Sequence, residues 1–119
     1  MARLVLLLTL VLSTLASACV IDEAEGDLRV FWVFPGTLDC FDAGVEVVRI
    51  TLFDEFGVVG TVDEFCDRGP VVFGDLDVGT YELELLGFPP RGEPTWLADR
   101  IFIDVRGGSN EFTVILEEL

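Results

Sequence analysis

The side chains that offer the most chemistry in this 119-residue chain are three cysteines and 22 carboxylates. All seven basic residues are arginine, because the chain has no lysine and no histidine. Histidine-based triads and histidine-ligated zinc sites are therefore excluded, as are lysine Schiff bases and Walker-type phosphate sites. The net charge of −15 also argues against nucleic acid, which is bound by clustered cations, and against electrostatic binding to anionic lipid.

Two carboxylate pairs are the only candidate residues for acid–base catalysis. Asp75 and Asp77 stand two residues apart near a predicted turn, and Glu82 and Glu84 stand two apart on a predicted strand. A glycosidase places its two carboxyl groups across a cleft, and a small domain with short loops gives no sign of one. We interpret Glu82 and Glu84 as a solvated strand face and predict that the protein is not an enzyme.

Calcium is the other chemistry that clustered acids support, since calcium prefers oxygen ligands and is often held by loops of β-sandwiches. No acidic run has the spacing of an EF-hand loop, so we predict no resident metal or cofactor and keep calcium binding as an alternative. The acids that would contribute are Asp39, Asp42, Asp63, Glu64, Asp67, Asp75 and Asp77.

Residues 1–18 have the organisation of a secretory signal peptide. Arg3 gives a short positive start, Leu4–Leu12 is apolar except for Thr9, and small residues follow. The apolar stretch is shorter than the roughly 20 residues that a permanent membrane helix needs. Residues 19–119 then carry six arginines and all 22 acids, which gives that part a net charge of −16.

The bond before Cys19 fits two kinds of cleavage. Ala16-Ser17-Ala18 satisfies the rule for ordinary signal peptidase, and Leu15-Ala16-Ser17-Ala18-Cys19 resembles the bacterial lipobox, although Ala16 stands where leucine is more frequent. The resemblance implies that the Cys19 thiol carries diacylglycerol and that acyl chains anchor the protein in a membrane. Val20 follows, so the aspartate that retains such lipoproteins in the inner membrane is absent. The expected location is the outer membrane or cell surface, and the alternative is a soluble periplasmic or secreted product.

Three cysteines are an odd number for an exported protein. If Cys19 is lipidated, Cys40 and Cys66 remain as a pair, and export makes a disulfide between them chemically reasonable. Two free buried thiols are the alternative.

The sequence predicts three segments: the signal peptide 1–18, Cys19 with an acidic tether to residue 27, and an all-β domain over 28–119. Gly and Pro punctuate the domain every 8–12 residues, a spacing typical of a sandwich of about seven antiparallel strands. Alternation is clearest from Tyr81, where Leu83 and Leu85 share its face, and Gly107-Gly108 predicts a hairpin turn. The predicted strands are Leu28–Phe34, Val45–Phe53, Val58–Phe65, Val71–Phe73, a run from Tyr81, Trp96–Val105 and Glu111–Leu116.

The run from Val48 to Phe88 resembles the prealbumin-like sandwich, which includes carboxypeptidase regulatory-like domains and the B-type repeats of collagen adhesins. Asp54-Glu55-Phe56-Gly57 takes the place of its D-x-x-G turn, and Phe73, Leu76, Gly79 and Tyr81 match F-x-x-L-x-x-G-x-Y. The resemblance implies a Greek-key sandwich. Some adhesin repeats carry a lysine–asparagine isopeptide bond, which a chain without lysine cannot form. An immunoglobulin- or fibronectin-like sandwich is the alternative fold.

Exposed aromatic residues would mark a recognition surface. Phe41, Phe56, Phe65 and Trp96 fall in or near predicted loops, and core packing is the competing interpretation for each. The longest irregular stretch, Pro89 to Trp96, is the candidate binding loop, with Arg91, Glu93 and Trp96 as its residues. The predicted function is a lipid-anchored interaction domain whose partner is another envelope protein or a glycan. A secreted carbohydrate- or calcium-binding module is the alternative.

Overall fold

The computed structural model describes residues 24–119, so the predicted signal peptide and Cys19 lie outside the described residues. No helix in this described part has the length and apolar character to cross a membrane. The elements are β1 (Glu25–Val33), a short helix α1 (Cys40–Ala43), β2 (Val47–Asp54), β3 (Gly57–Phe65), a 3-10 turn (Cys66–Arg68), β4 (Val71–Asp77), β5 (Gly79–Phe88), β6 (Trp96–Val105), β7 (Gly108–Ile115) and β8 (Glu117–Glu118).

The strands form two sheets, which confirms the predicted all-β sandwich. One sheet has the order β4-β1-β7 and the other β3-β2-β5-β6-β8. The prediction of purely antiparallel pairing is wrong at one place, because β1 and β7 run parallel. The two-residue strand β8, which pairs with the start of β6, is an addition to the predicted seven.

The core lies between the sheets and follows from residue alternation within the strands. Tyr81, Leu83 and Leu85 of β5 are buried, as the sequence predicts, while Glu82 and Glu84 point to the other face. Strand β1 contributes Leu28 and Val30 from the facing sheet. Because side chains alternate between the faces of a strand, each sheet directs one apolar set inward. No polar or charged side chain of residues 24–119 is buried in this core.

Strand β1 starts earlier than predicted. The sequence places its first residue at Leu28 and assigns residues up to 27 to a tether, but Glu25 already pairs with Asp77. Gly26 is buried and pairs with Gly108, and a Cβ atom at Gly26 would overlap the Arg106 carbonyl oxygen. The sequence does not predict this part of the strand, because its residues are mostly acidic and the one position that points into the core is a glycine.

The Gly107-Gly108 turn does not form the predicted hairpin. Gly108 adopts a positive φ of 86°, as a tight turn requires, but β6 and β7 belong to different sheets. The Asn110 side chain closes this turn by accepting from the Arg106 N–H and donating to the Arg106 carbonyl oxygen. A glycine pair marks the turn, but it does not determine which sheet the next strand joins.

The sandwich has two distinct ends, which decide where each loop lies. Ala24, the Asp54–Gly57 turn and the Arg106–Gly108 turn share one end, which we call the N-terminal end. Helix α1, Cys66, the 89–95 loop and the last residues of the chain share the other, which we call the disulfide end.

Candidate functional site at the disulfide end

A disulfide bond joins Cys40 to Cys66, which confirms the predicted pair. Cys40 opens helix α1, which the sequence analysis did not predict. Asp39 caps the helix by accepting a hydrogen bond from the Asp42 N–H, and Gly44 ends it at a φ of 72°. This cap pair is the local signal for the helix. Both capping residues are visible in the sequence, but the helix between them is only four residues long.

An apolar groove with a volume of about 760 Å³ runs beside the disulfide. That volume is within the range of small-ligand and peptide sites. Two aromatic side chains line it, namely Phe41, which follows Cys40 in α1, and Phe65, which precedes Cys66 at the end of β3. Phe41 is 91% exposed and Phe65 is 45% exposed. The remaining lining residues are Asp39, Cys40, Gly44, Val45, Glu46, Cys66, Asp67 and Pro90.

The walls of the groove are held by hydrogen bonds as well as by the disulfide. Val45 donates its N–H to the Cys40 carbonyl oxygen, and Cys66 donates to the Glu46 carbonyl oxygen at 2.8 Å. The indole N–H of Trp32 donates to the Cys66 carbonyl oxygen at 3.1 Å, which ties β1 of the three-stranded sheet to this end. The groove is therefore built into the fold and is lined by fixed backbone.

The charge around the groove is predominantly acidic. Asp39, Glu46 and Asp67 line it. The guanidinium of Arg68 lies 5.0 Å from the centre of the Phe65 ring, in a cation–π contact. Arg68 thus places one positive charge at the edge of a surface whose lining carries three carboxylates.

The residues of the predicted binding loop, Pro89 to Trp96, fall into two groups in the structure. Arg91 and Glu93 are exposed, and Pro90 beside them lines the groove. Trp96, by contrast, is only 5% exposed. Its ring packs edge-to-face on Phe34 with centroids 5.0 Å apart, and its indole N–H donates to the Ala43 carbonyl oxygen. Core packing is the correct interpretation of Trp96, because its ring is buried and its polar atom is hydrogen-bonded inside the protein.

The acids considered for calcium do not converge. Asp39 caps α1, and Asp63 forms an ion pair with Arg49 at 2.8 Å. Hydrogen bonding to that arginine holds the pKa of Asp63 below its usual value. Asp75 and Asp77 lie at the end of β4, at the opposite end of the sandwich from Asp67. Within residues 24–119 there is no group of three or more acids or cysteines arranged to hold a metal ion.

The outer face of the five-stranded sheet also carries charge and aromatic rings. Glu82 accepts a hydrogen bond from Arg100 at 2.9 Å, and the same guanidinium lies 3.7 Å from the centre of the Phe53 ring. Arg49 stands in a similar way over Phe88, at 5.0 Å. Glu82 is thus tied to a cation on a sheet face, which agrees with the prediction of a strand face and gives no support to a carboxylate pair across a cleft.

A second, more polar cleft of about 460 Å³ lies at the N-terminal end. Phe56 and Phe102 border it with exposures of 90% and 70%. The Phe56 N–H donates to the Asp54 side chain at 2.7 Å, which shapes the predicted turn. Tyr81 reaches this cleft and donates its hydroxyl to the Asp77 carbonyl oxygen. Burial, with the nearby carboxylates of Asp77 and Asp54, raises the pKa of Tyr81 above its usual value.

Several residues of the groove were not singled out from the sequence. Val45 and Glu46 come from one segment and Pro90 from another, and only the sheet register brings them together. Phe41 and Phe65 were two of the aromatic residues for which both exposure and core packing were considered, and the structure shows both exposed. What the sequence lacked was the contact between their two segments.

Comparison with known proteins gives a fold relationship. No family model matches the chain, and no curated protein matches it. Among solved structures, a putative adhesin from Bacteroides ovatus is similar over 79% of this chain, with 14% sequence identity and a TM-score of 0.56. The aligned region covers 46% of that neighbour, so this chain corresponds to less than half of it. At this identity the similarity concerns the β-sandwich fold.

Proposed function

We propose that this protein is an exported, lipid-anchored β-sandwich that acts by binding a partner and not by catalysis. The observation that carries the proposal is the exposed apolar groove beside a disulfide, at the end of the sandwich opposite Ala24. Contiguous exposed apolar surface, in contrast to a single exposed side chain, marks binding sites, and here Phe41 and Phe65 line one groove together. The fold neighbour is described as a putative adhesin, which is in keeping with an interaction domain.

The anchor part of the proposal rests on the sequence before the domain. Cys19 follows a signal-like segment, and the disulfide between the other two cysteines leaves it as the one thiol available for lipid. Disulfides form in oxidising compartments, so the pair in the domain supports export. An acyl chain contributes about 0.8 kcal/mol per buried CH₂, and two or more chains give stable membrane attachment.

The geometry of the domain supports an outward-facing groove. Five residues, 20–24, separate Cys19 from the first strand, a span of at most about 20 Å when fully extended. Strand β5 runs from the N-terminal end to the disulfide end over 10 residues, a length of about 33 Å at 3.3 Å per residue. An anchor at Cys19 would therefore hold the N-terminal end near the membrane and direct the groove away from it.

Fractionation of cells expressing the full chain tests the anchor. We expect the unaltered protein in the membrane fraction and Cys19→Ala in the soluble exported fraction. Ser13→Ala, which alters the signal segment but keeps the cysteine, is the matched control and should remain with the membrane. If Cys19→Ala stayed membrane-bound, lipidation of this residue would be ruled out as the means of attachment.

A further inference from the structure

We propose that the groove at the disulfide end binds an extended segment of a partner protein in which an apolar side chain is flanked by arginine or lysine. The inference deepens the proposed function, since it takes the chain to act by interaction and names the surface and the kind of partner. It does not depend on lipidation of Cys19.

Phe41 provides the main apolar contact of the proposed site. Its side chain is 91% exposed, so it contributes little to the core, yet it stands on a helix fixed at both ends. The Cys40–Cys66 disulfide holds that helix against the end of β3, and the Val45 N–H closes it by bonding Cys40 O. Phe41 thus stands on a braced helix and lines the same groove as Phe65. Two aromatic side chains on ordered backbone can bury an apolar side chain of a partner at a reduced entropic cost.

The rim of the groove provides the charges that would recognise a basic partner. Asp39, Glu46 and Asp67 line the groove, and neither of the two ion pairs among residues 24–119 involves them. A partner with basic residues beside its apolar one would meet these carboxylates in complementary positions, which raises the association rate and gives specificity. Anionic lipid, phosphate and acidic sugars would be repelled.

The backbone determines the shape of the groove. The groove spans three segments, α1 with its following residues, the Phe65–Asp67 corner, and Pro90. Its volume of about 760 Å³ exceeds what a single side chain fills and suits a few residues of an extended chain. An exposed apolar surface that is built from three segments and carries charges at its rim favours a peptide segment over a compact metabolite.

The test is a titration of the exported product of the full chain, carrying Cys19→Ala so that it stays soluble, and followed by amide NMR shifts. The probes are two synthetic pentapeptides with a central tryptophan between leucines, one with an arginine at each end and the other with a glutamate at each end. We expect saturable shifts at Phe41, Glu46 and Cys66 with the basic peptide. The acidic peptide should bind about tenfold more weakly or not at all.

Two variants of equal exposure at opposite ends provide the control. Phe41→Ser should weaken the basic peptide about tenfold, because a large apolar contact is lost. Phe56→Ser removes a side chain that is 90% exposed at the N-terminal end and should leave binding unchanged. The inference is overturned if the basic peptide gives no saturable shift, if both variants weaken it equally, or if both peptides bind alike.

A lipid occupant is a separate outcome. If vesicles of phosphatidylcholine bound the Cys19→Ala protein and its Phe56→Ser variant but not its Phe41→Ser variant, the groove would contact membrane and the peptide assignment would be wrong. Because the peptide titration contains no lipid, its failure bears on the groove alone, whereas failure of the anchor appears only in the cell fractionation.

Discussion

The indole N–H of Trp96 donates a hydrogen bond to the carbonyl oxygen of Ala43 at 3.0 Å. This bond joins the first residue of β6 to the last residue of α1, across 53 positions of sequence. Phe34 packs against the same ring, so Trp96 ties the end of α1 to the core. The residue that sequence analysis offered as a ligand contact is a support for the helix that carries Phe41.

Trp96→Ala should therefore reduce stability strongly. Removing a buried aromatic costs about 3–5 kcal/mol of unfolding free energy, and here an indole hydrogen bond is lost as well. Phe41→Ala, at a position 91% exposed, should change stability by no more than about 0.5 kcal/mol. Denaturant unfolding of the two variants measures this contrast. Equal effects would mean that Trp96 is not part of the core.

The disulfide should stabilise the domain chiefly through the unfolded chain. Its sequence separation is 26 residues, for which the chain-entropy relation gives about 3.5 kcal/mol. We expect the variant with serine at both Cys40 and Cys66 to lose about that amount in urea unfolding. A loss well under about 1 kcal/mol would show that the hydrogen bonds around Cys66 hold this end without the covalent bond.

Gly26 tests the early start of β1. An added Cβ would meet the backbone oxygen of Arg106, which cannot move without displacing the β6–β7 connection. Gly26→Ala should therefore destabilise the domain by about 1–3 kcal/mol. Gly79→Ala is the control, since nothing lies within 4 Å of its Cβ position. Thermal melts compare the two, and an unperturbed Gly26→Ala would mean that residues 25–27 are not held in the sheet.

Tyr81 gives a pH prediction with a clean readout, because it is the only tyrosine in the chain. Its folded pKa is raised, chiefly by burial, above the unfolded value near 10. The stability that this provides is complete below about pH 10 and is lost as the pH rises through the folded pKa. Ultraviolet absorbance of the phenolate should titrate at higher pH in the folded protein than in guanidinium.

Tyr81→Phe serves as the control for that prediction. It removes the titrating group and the hydrogen bond to the Asp77 carbonyl oxygen, so it should lower stability at neutral pH. Its alkaline decline should be shallower than that of the unaltered protein. A folded-state titration at or below the unfolded one would contradict the burial of Tyr81.

Local pattern accounts for most of the strands but not for their arrangement. Alternation from Tyr81 to Leu85 gives the inward face of β5 directly, because a strand places every second side chain on one face. The parallel pairing of β1 with β7 joins Gly26 to Gly108, more than 80 residues away, and no short-range signal encodes it. Gly107-Gly108 is an example, because the pair predicts the turn but does not predict which sheet the following strand joins.

The candidate site was predictable in parts. The pairing of Cys40 with Cys66 follows from sequence reasoning, and the structure confirms it. For the neighbouring Phe41, exposure was one of two interpretations, and the structure shows the side chain exposed. Trp96 was ambiguous because a tryptophan at a loop boundary suits either a core or a recognition surface. The groove itself depends on three segments that meet only in the folded chain, so its lining required the structure.

The intact mass of the protein extracted from membranes, taken before and after reduction, tests the central claim most directly. The account predicts a chain of residues 19–119 with acyl groups on Cys19, which gains the mass of two hydrogens when the Cys40–Cys66 bond is reduced. A chain that keeps residues 1–18, or one beginning at Cys19 without lipid, would contradict the lipid-anchored assignment.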